Sequence, residues 1–87
     1  MQIKGFDWDR INIEHIARHG VEPGEAEEIF EKRVLRLRSW GGRYILFGQT
    51  AASRYLAVVI RIDSGIVRVV TVRGMTFSEK RRYKRGK

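Results

Sequence analysis

The sequence predicts an α+β fold with two N-terminal helices, a four-stranded antiparallel meander and a short C-terminal helix. Residues 10–31 repeat apolar side chains at the three- and four-residue spacing of amphipathic helices. Residues 34–73 instead alternate apolar and polar side chains between short turns, which is typical of an antiparallel meander. Thr76 and Glu79 then have the spacing of a capping box, which predicts a helix from about residue 77.

Signals at both ends define the first two helices. Asp9 is a favourable N-cap and Gly20 a favourable C-cap, so the first helix is predicted over residues 10–19. Pro23 suits a first helical turn and glutamates follow it, so the second helix is predicted over residues 23–31.

The four predicted strands share a two-residue alternation and are bounded by turn residues. They comprise residues 34–38, 43–50, 54–63 and 66–73. The stretch IKGF at residues 3–6 is compatible with an additional short edge strand. We expect the helices to form a single layer on the apolar face of the sheet, which leaves the other face open.

Charge is distributed unevenly along the 87 residues, which have the length of a single domain, residues 1–87. Residues 1–31 carry eight acidic and three basic side chains, whereas residues 32–87 carry fifteen basic and two acidic ones. Thirteen of the eighteen basic residues are arginine, which binds phosphate through a planar, bidentate guanidinium. This asymmetry favours a polyanionic partner for the second part of the chain. A high-GC or heat-loving host that prefers arginine explains the arginine content equally well.

Composition also disfavours several classes of protein. Because the chain has no cysteine, it forms neither a disulfide framework nor a cysteine zinc site, as expected of an intracellular, cytoplasmic protein. No run of eighteen apolar residues is present, which predicts no membrane span. The first residues, MQIKGFDWD, lack an apolar signal-peptide core, so we expect no export.

His15 and His19 lie four residues apart and share one face of the first predicted helix. Two ligands are too few for a metal site, and the glutamate of a His-Glu-x-x-His motif is absent, so we expect no bound metal. Helix capping by His19 and packing of His15 at the sheet edge are favoured, with an acid–base role for one of them as the alternative.

Six arginines on the predicted strands are candidates for the open face of the sheet: Arg36, Arg38, Arg54, Arg61, Arg68 and Arg73. Trp40, Tyr44 and Tyr55 add surfaces on which bases stack, so nucleic-acid binding is modestly favoured over a merely solvated surface. Arg68 and Arg73 are five residues apart, so a regular strand directs them to opposite faces. They join one site only if a bulge or the strand end turns Arg73.

The C-terminal stretch EKRRYKRGK is strongly basic and either stays solvated or binds phosphate. Arg81, Arg82 and Arg85 are its candidate phosphate-binding residues. Tyr83 lies four residues after Glu79 on the same helix face, so it either docks on the sheet or contributes to a site.

Several segments together resemble the BrnT-like family, small toxins of bacterial toxin–antitoxin pairs with a RelE-like ribonuclease fold. At the front, WDRINIEHIARHGVEPGEAEEIF resembles the family's Trp-Asp, its helix ending in His-Gly-Val and its acidic, apolar second helix. At the back, an arginine precedes an apolar strand, and IVRVVTVRGMTFSEKRRY resembles the family's Arg-(apolar)-Ser/Thr-Ala-Arg run followed by Glu-Arg-Arg-x-Tyr. The matching positions are Trp8, Asp9, His19, Gly20, Val21, Arg43, Gly48, Arg68, Thr71, Arg73, Thr76, Glu79, Arg81 and Tyr83.

Departures from the family pattern indicate a divergent branch. The first helix is one residue shorter than usual, and Asn12 stands about where a lysine is common. The turn SWGG lacks the acidic and histidine residues that often precede the position of Arg43, and Gly74 replaces a frequent basic residue.

The resemblance implies a bacterial or archaeal toxin that cleaves RNA as an endoribonuclease without a metal or another cofactor. The ribose 2′-hydroxyl would attack the adjacent phosphate while cationic side chains stabilise the transition state. No general base is evident, and Tyr83, Glu79 and His19 are weak candidates. The candidate catalytic residues are Arg43, Arg68, Arg73 and Tyr83, and the candidate RNA-binding residues are Arg36, Arg38, Arg54, Arg81, Arg82 and Arg85.

The expected partners are RNA and a cognate DNA-binding antitoxin, and the sequence leaves a homo-oligomer open. The alternative function is a non-catalytic module of the same fold that binds nucleic acid or a partner protein through the same surface. Incubation of the protein with RNA and a chelator distinguishes cleavage from binding alone.

Overall fold

The computed structural model describes residues 2–86, so the two ends of the predicted domain 1–87 lie outside the described residues. Across this range the fold is α+β, as predicted, with three α-helices and a five-stranded mixed sheet. The strands are β1 (Gly5–Phe6), β2 (Leu35–Arg38), β3 (Tyr44–Gln49), β4 (Tyr55–Asp63) and β5 (Ile66–Gly74). The helices are α1 (Arg10–Ala17), α2 (Pro23–Glu28) and α3 (Phe77–Arg85), with short 3-10 turns at Ile29–Glu31 and Trp40–Gly42.

The sheet has the strand order β1-β5-β4-β3-β2. Strands β2 to β5 form the predicted antiparallel meander, with each strand next to its neighbour in sequence. The prediction of a four-stranded, wholly antiparallel sheet is wrong at one edge, because β1 pairs in parallel with β5 through Gly5 and Phe6. A parallel pair needs a long crossover connection, and the intervening helices and meander supply it.

Helices cover both faces of the sheet, whereas the sequence predicted one helical layer. Buried side chains of α1 and α2, including Ile16 and Ala26, pack with Val58 and Val69 of the sheet in the larger apolar cluster. On the opposite face, α3 packs against part of the sheet, and its Tyr83 joins a second cluster with the following residues: Phe47, Ala57 and Met75. No helix formed by residues 2–86 covers the remainder of this second face.

Helix α1 begins as predicted, because the side chain of Asp9 accepts hydrogen bonds from the backbone N–H groups of Ile11 and Asn12. The amide of Asn12 is buried and donates to the backbone oxygens of Asp7 and Val69. These bonds fix the start of α1 against the edge of β5. The helix ends at Ala17, two residues before its predicted end.

The predicted second helix is divided into α2 and the 3-10 turn Ile29–Glu31. Helix α3 begins at Phe77, as its capping box predicts, since Thr76 accepts from the Glu79 N–H and the Glu79 carboxylate accepts from the Thr76 N–H. None of the helices formed by residues 2–86 is sufficiently long and apolar to span a membrane.

A bulge interrupts the pairing of β4 with β5. The register shifts between Val59 and Ile60 of β4, which leaves Val70 of β5 without a partner. Beyond a bulge, the alternation of side chains is offset by one residue. Arg68 and Arg73 therefore lie on the same face of the sheet despite their odd spacing.

Candidate nucleic-acid interface

The uncovered part of the sheet lies on the face to which α3 is attached. Its surface is formed by a row of half-buried side chains at paired positions, one on each of the strands β2, β3, β4 and β5. We call this row the open face: Leu37, Ile45, Val59 and Thr71. Paired positions on neighbouring strands direct their side chains to the same side of the sheet, so the row is continuous.

A line of three arginines borders the open face on the side away from α3. Arg61 of β4 pairs directly with Arg68 of β5. Tyr44 at the start of β3 pairs with Ile60, so Arg43, which precedes Tyr44, lies beside Arg61. We call Arg43, Arg61 and Arg68 the arginine row. They line a single cavity of about 340 Å³, together with residues of α1 that include His15.

Arg68 is the member of the row whose charge is compensated. Its guanidinium lies 3.3 Å from the Asp7 carboxylate and 3.0 Å from that of Asp9. The hydrogen bond from Arg68 lowers the pKa of Asp9, and the same bond raises the pKa of Arg68. Arg68 thus links β5 to the segment between β1 and α1.

Arg43 and Arg61 have no carboxylate within 4 Å among residues 2–86. The Nε atom of Arg43 is buried and has no hydrogen-bond partner in this part of the chain. A buried polar atom without a partner is costly, so an anion that accepts from this guanidinium would stabilise it. These two arginines are the members of the row that can bind phosphate without first breaking an ion pair.

Arg73 lies on the same face, at the end of β5 that meets α3. Its two terminal nitrogens donate to the two carboxylate oxygens of Glu79 at 2.7 and 2.8 Å. The bidentate contact with Arg73 lowers the pKa of Glu79 to about 2, and the pKa of Arg73 is raised. A catalytic role for Arg73 stays a prediction, but its guanidinium already holds α3 to the sheet.

Tyr83 is buried, with 6% of its surface exposed, and its hydroxyl donates to the backbone oxygen of Arg33 at 2.8 Å. Arg33 in turn donates to the Tyr83 backbone oxygen and lies 4.2 Å from the centre of its ring. The structure thus docks Tyr83 on the sheet. Its predicted catalytic role is untested, and the hydroxyl is engaged by the backbone.

Three of the predicted RNA-binding arginines lie away from the open face. Arg36 and Arg38 pair with Leu46 and Tyr44, which places them on the α1 and α2 side of the sheet. Arg36 packs over the ring of Tyr44 at 5.4 Å. Arg54 forms a 2.8 Å ion pair with a glutamate of α2 and donates to the carbonyl that follows α1, so it connects the sheet to the helices.

The glutamate that pairs with Arg54 is Glu25, and its pKa is lowered. The main cause is the hydrogen bond it accepts from the backbone N–H of Glu22, followed by the contact with Arg54. This carboxylate therefore stays charged and keeps Arg54 engaged.

The other three predicted RNA-binding residues lie at the opposite border of the open face. They are exposed side chains of α3, here called the α3 arginines: Arg81, Arg82 and Arg85. They line a cavity of about 420 Å³ with Leu37 and Ile45 of the open face. The open face is therefore bordered by arginines on both sides.

The sequence listed Arg61 only among the strand arginines expected on the open face, and it gave His15 an acid–base role only as an alternative to packing. The spacing of Ile11 and His15 on one helical turn indicates a shared face, but not that this face meets the arginine row. His19, the weak candidate for a general base, is exposed after the end of α1.

Within residues 2–86, no three histidine, aspartate or glutamate side chains cluster closely enough to hold a metal ion.

No protein-family model matches the chain, and no curated protein has significant sequence similarity to it. Function is therefore inferred from the arrangement of the side chains.

Proposed function

We propose that the protein is the toxin of a toxin–antitoxin pair and acts on RNA as a metal-independent endoribonuclease. The observation that carries this proposal is the arginine row, in which Arg43 and Arg61 have no carboxylate partner within residues 2–86 and share a cavity with His15. The α3 arginines on the other border of the open face add positive charge for further phosphates. The resemblance to BrnT-like toxins supports the same reaction.

In this proposal a phosphate of single-stranded RNA binds to Arg43 and Arg61. The adjacent ribose 2′-hydroxyl attacks the phosphorus, and the bond from phosphorus to the 5′-oxygen breaks. Negative charge accumulates on the phosphoryl oxygens in the transition state, where fixed guanidinium donors stabilise it more than in the ground state. The products are a 2′,3′-cyclic phosphate and a 5′-hydroxyl.

The reaction also needs a group that accepts the proton of the 2′-hydroxyl, and the departing 5′-oxygen takes a proton from solvent water to become the 5′-hydroxyl. Imidazole is the side chain suited to proton exchange near neutral pH, and His15 shares the cavity with the arginine row. Tyr83 and Glu79 are less suitable, since the first donates to a backbone oxygen and the second is held by Arg73. We therefore assign the proton transfer to His15 within this proposal.

The test compares Arg61→Gln with Arg18→Gln, each of which removes one exposed guanidinium. Arg18 follows α1 near Gly20, whose carbonyl accepts from Arg54, so it lies at the end of β4 opposite Arg61. End-labelled RNA is incubated with each purified variant in the presence of a chelator. We expect cleavage to fall roughly 10²- to 10³-fold in Arg61→Gln, as for loss of one transition-state donor, and to stay unchanged in Arg18→Gln.

Equal cleavage by the two variants would exclude the arginine row as the reactive site. A His15→Gln variant should cleave RNA much more slowly while it keeps its affinity for RNA. Melting curves of all the variants show whether a loss of activity reflects unfolding.

A non-catalytic module that binds nucleic acid is the second candidate. It is favoured by the ion pairs of Arg68 and Arg73, which leave two of the predicted catalytic guanidinium groups already occupied by carboxylates. RNA binding that depends on Arg61, without any cleavage in the same reactions, would assign this function instead.

A toxin of this kind acts in the cytoplasm and is neutralised by a DNA-binding antitoxin. The neighbouring gene tests this part of the proposal. A small open reading frame whose product co-purifies with the protein and suppresses its toxicity would support it, and a partner without any effect on toxicity would contradict it.

A further inference from the structure

Trp40 is an exposed aromatic side chain that belongs to neither apolar cluster of the fold. It is 89% exposed at the turn between β2 and β3. The second tryptophan, Trp8, is by contrast half-buried and donates its indole N–H to Glu27 at 2.7 Å. Tryptophan offers a large apolar surface, and at this turn almost all of that surface is accessible for contact with a ligand.

The turn holds Trp40 in a defined position. The N–H of Arg43 donates to the Trp40 carbonyl at 3.1 Å, and the N–H of Ser39 donates to the Arg43 carbonyl at 2.9 Å. Gly41 and Gly42 have positive φ angles of 63° and 74°, a conformation that favours glycine. A rigid turn presents the indole with little loss of backbone entropy on binding.

The surroundings of Trp40 are polar and cationic. The shallow cavity beside it is lined by Arg38, Ser39 and Gly41, and the next cavity along the turn is lined by Arg38 and Arg43. An isolated aromatic ring among arginines differs from the continuous apolar patch of a protein interface. Aromatic rings next to cationic groups are typical of single-stranded nucleic-acid sites, where bases stack and phosphates pair with the charges.

We propose that Trp40 is a nucleobase-binding site, on which an unpaired base of single-stranded RNA stacks while a neighbouring phosphate binds to Arg43. The inference rests on the proposed function, because the same strand would continue from the turn to the arginine row. The site recognises the flat face of a base, so it selects unpaired over base-paired RNA.

The experiment uses the fluorescence of Trp40 in a Trp8→Phe background, where it is the single tryptophan. The probe is a short single-stranded oligoribonucleotide with 2′-O-methyl riboses, which cannot undergo attack by the 2′-oxygen. Its binding is followed in parallel by anisotropy of a label on the RNA. We expect Trp40 emission to be quenched with the same midpoint as the anisotropy, and a blunt duplex of equal length to quench much less.

Substitution measures the contribution of stacking. Trp40→Ala should weaken binding about 5- to 150-fold, the range for one stacked base, and Trp40→Phe should restore much of the affinity. Melting curves are expected to coincide, since the side chain is exposed.

The outcomes separate this inference from the proposed function. RNA binding by anisotropy with unchanged Trp40 emission, and an affinity of Trp40→Ala within twofold of the parent, would overturn the stacking site and leave the proposed function standing. Absence of RNA binding by the parent protein would overturn both. A shift of Trp40 emission that depends on protein concentration without RNA would assign the residue to self-association and reject the base-binding site.

Discussion

The ion pair between Arg73 and Glu79 should contribute measurably to stability, because it joins β5 to α3 and both carboxylate oxygens of Glu79 accept from Arg73. Glu79 is 21% exposed and Arg73 is 47% exposed. The lowering of the Glu79 pKa to about 2 sets an upper limit of about 3 kcal/mol for the pair. Water around the half-exposed Arg73 screens the interaction, so we expect a coupling free energy of about 1–2 kcal/mol.

A double-mutant cycle with Arg73→Ala and Glu79→Gln measures this coupling by urea or thermal unfolding at pH 7. Glutamine keeps an oxygen that accepts from the Thr76 N–H, so the helix cap is preserved while the charge is removed. Each kcal/mol should lower the melting temperature by about 4–8 °C for a domain of this size. A coupling indistinguishable from zero would show that the pair does not stabilise the fold.

The pH dependence provides a second check on the same pair. Because folding lowers the Glu79 pKa from 4.5 to about 2, the stabilisation is fully present above pH 4.5 and is lost as the pH falls through 2. The stability difference between the parent and Glu79→Gln should therefore shrink between about pH 5 and pH 2. A difference that stays constant over this range would refute the reasoning.

Cleavage assays on the same Arg73→Ala preparation address its predicted catalytic role. If Arg73 leaves Glu79 to stabilise the transition state, cleavage falls roughly 10²- to 10³-fold beyond any effect of unfolding. A variant that is active but melts at a lower temperature assigns Arg73 to the attachment of α3 alone.

Two further predictions concern α3 and the packing beneath the sheet. Replacing the α3 arginines together with alanine should weaken RNA binding while the fold stays intact. The slope of log Kd against the logarithm of salt concentration should fall by up to about three, because up to three phosphate contacts are lost. Unfolding of this variant would show that these arginines are structural. Gly48→Ala should destabilise the protein by about 1–3 kcal/mol in urea unfolding, because the new Cβ would lie 2.7 Å from the Ile29 Cβ. Gly24→Ala, where an added Cβ meets nothing within 4 Å, is the control, and equal stability of the two variants would contradict the packing argument.

Local signals in the sequence predicted most of the elements. Asp9 and Thr76 begin helices where expected, because a cap depends on residues three positions apart along the chain. The four meander strands follow from alternation and short turns. A short edge strand within residues 3–6 was considered, but its parallel pairing with β5 was not predicted, because the partner lies about sixty residues away along the chain.

The candidate site was less predictable, because it depends on tertiary placement. Helix α3 has a single buried side chain, Tyr83, in an otherwise basic segment, so the sequence pattern did not indicate which face it covers. The meeting of His15 with the arginine row depends on how α1 crosses the edge of β5. The face occupied by Arg36 and Arg38 follows from the register of β2 with β3, which alternation alone leaves open.

The bulge at Val70 determines which arginines frame the open face and which remain available on it. By offsetting the alternation, it places Arg68 and Arg73 on one face, where carboxylates from two different parts of the fold hold them. Arg68 is held from the segment before α1, and Arg73 from α3, so both ion pairs fix the borders of the surface. Beside Arg68 in the arginine row, Arg43 and Arg61 have no carboxylate within 4 Å among residues 2–86. Within the proposed function, Arg43 and Arg61 therefore make the first contact with an RNA phosphate. Of the three arginines that the sequence favoured for catalysis, Arg68 and Arg73 frame the site and Arg43 remains available.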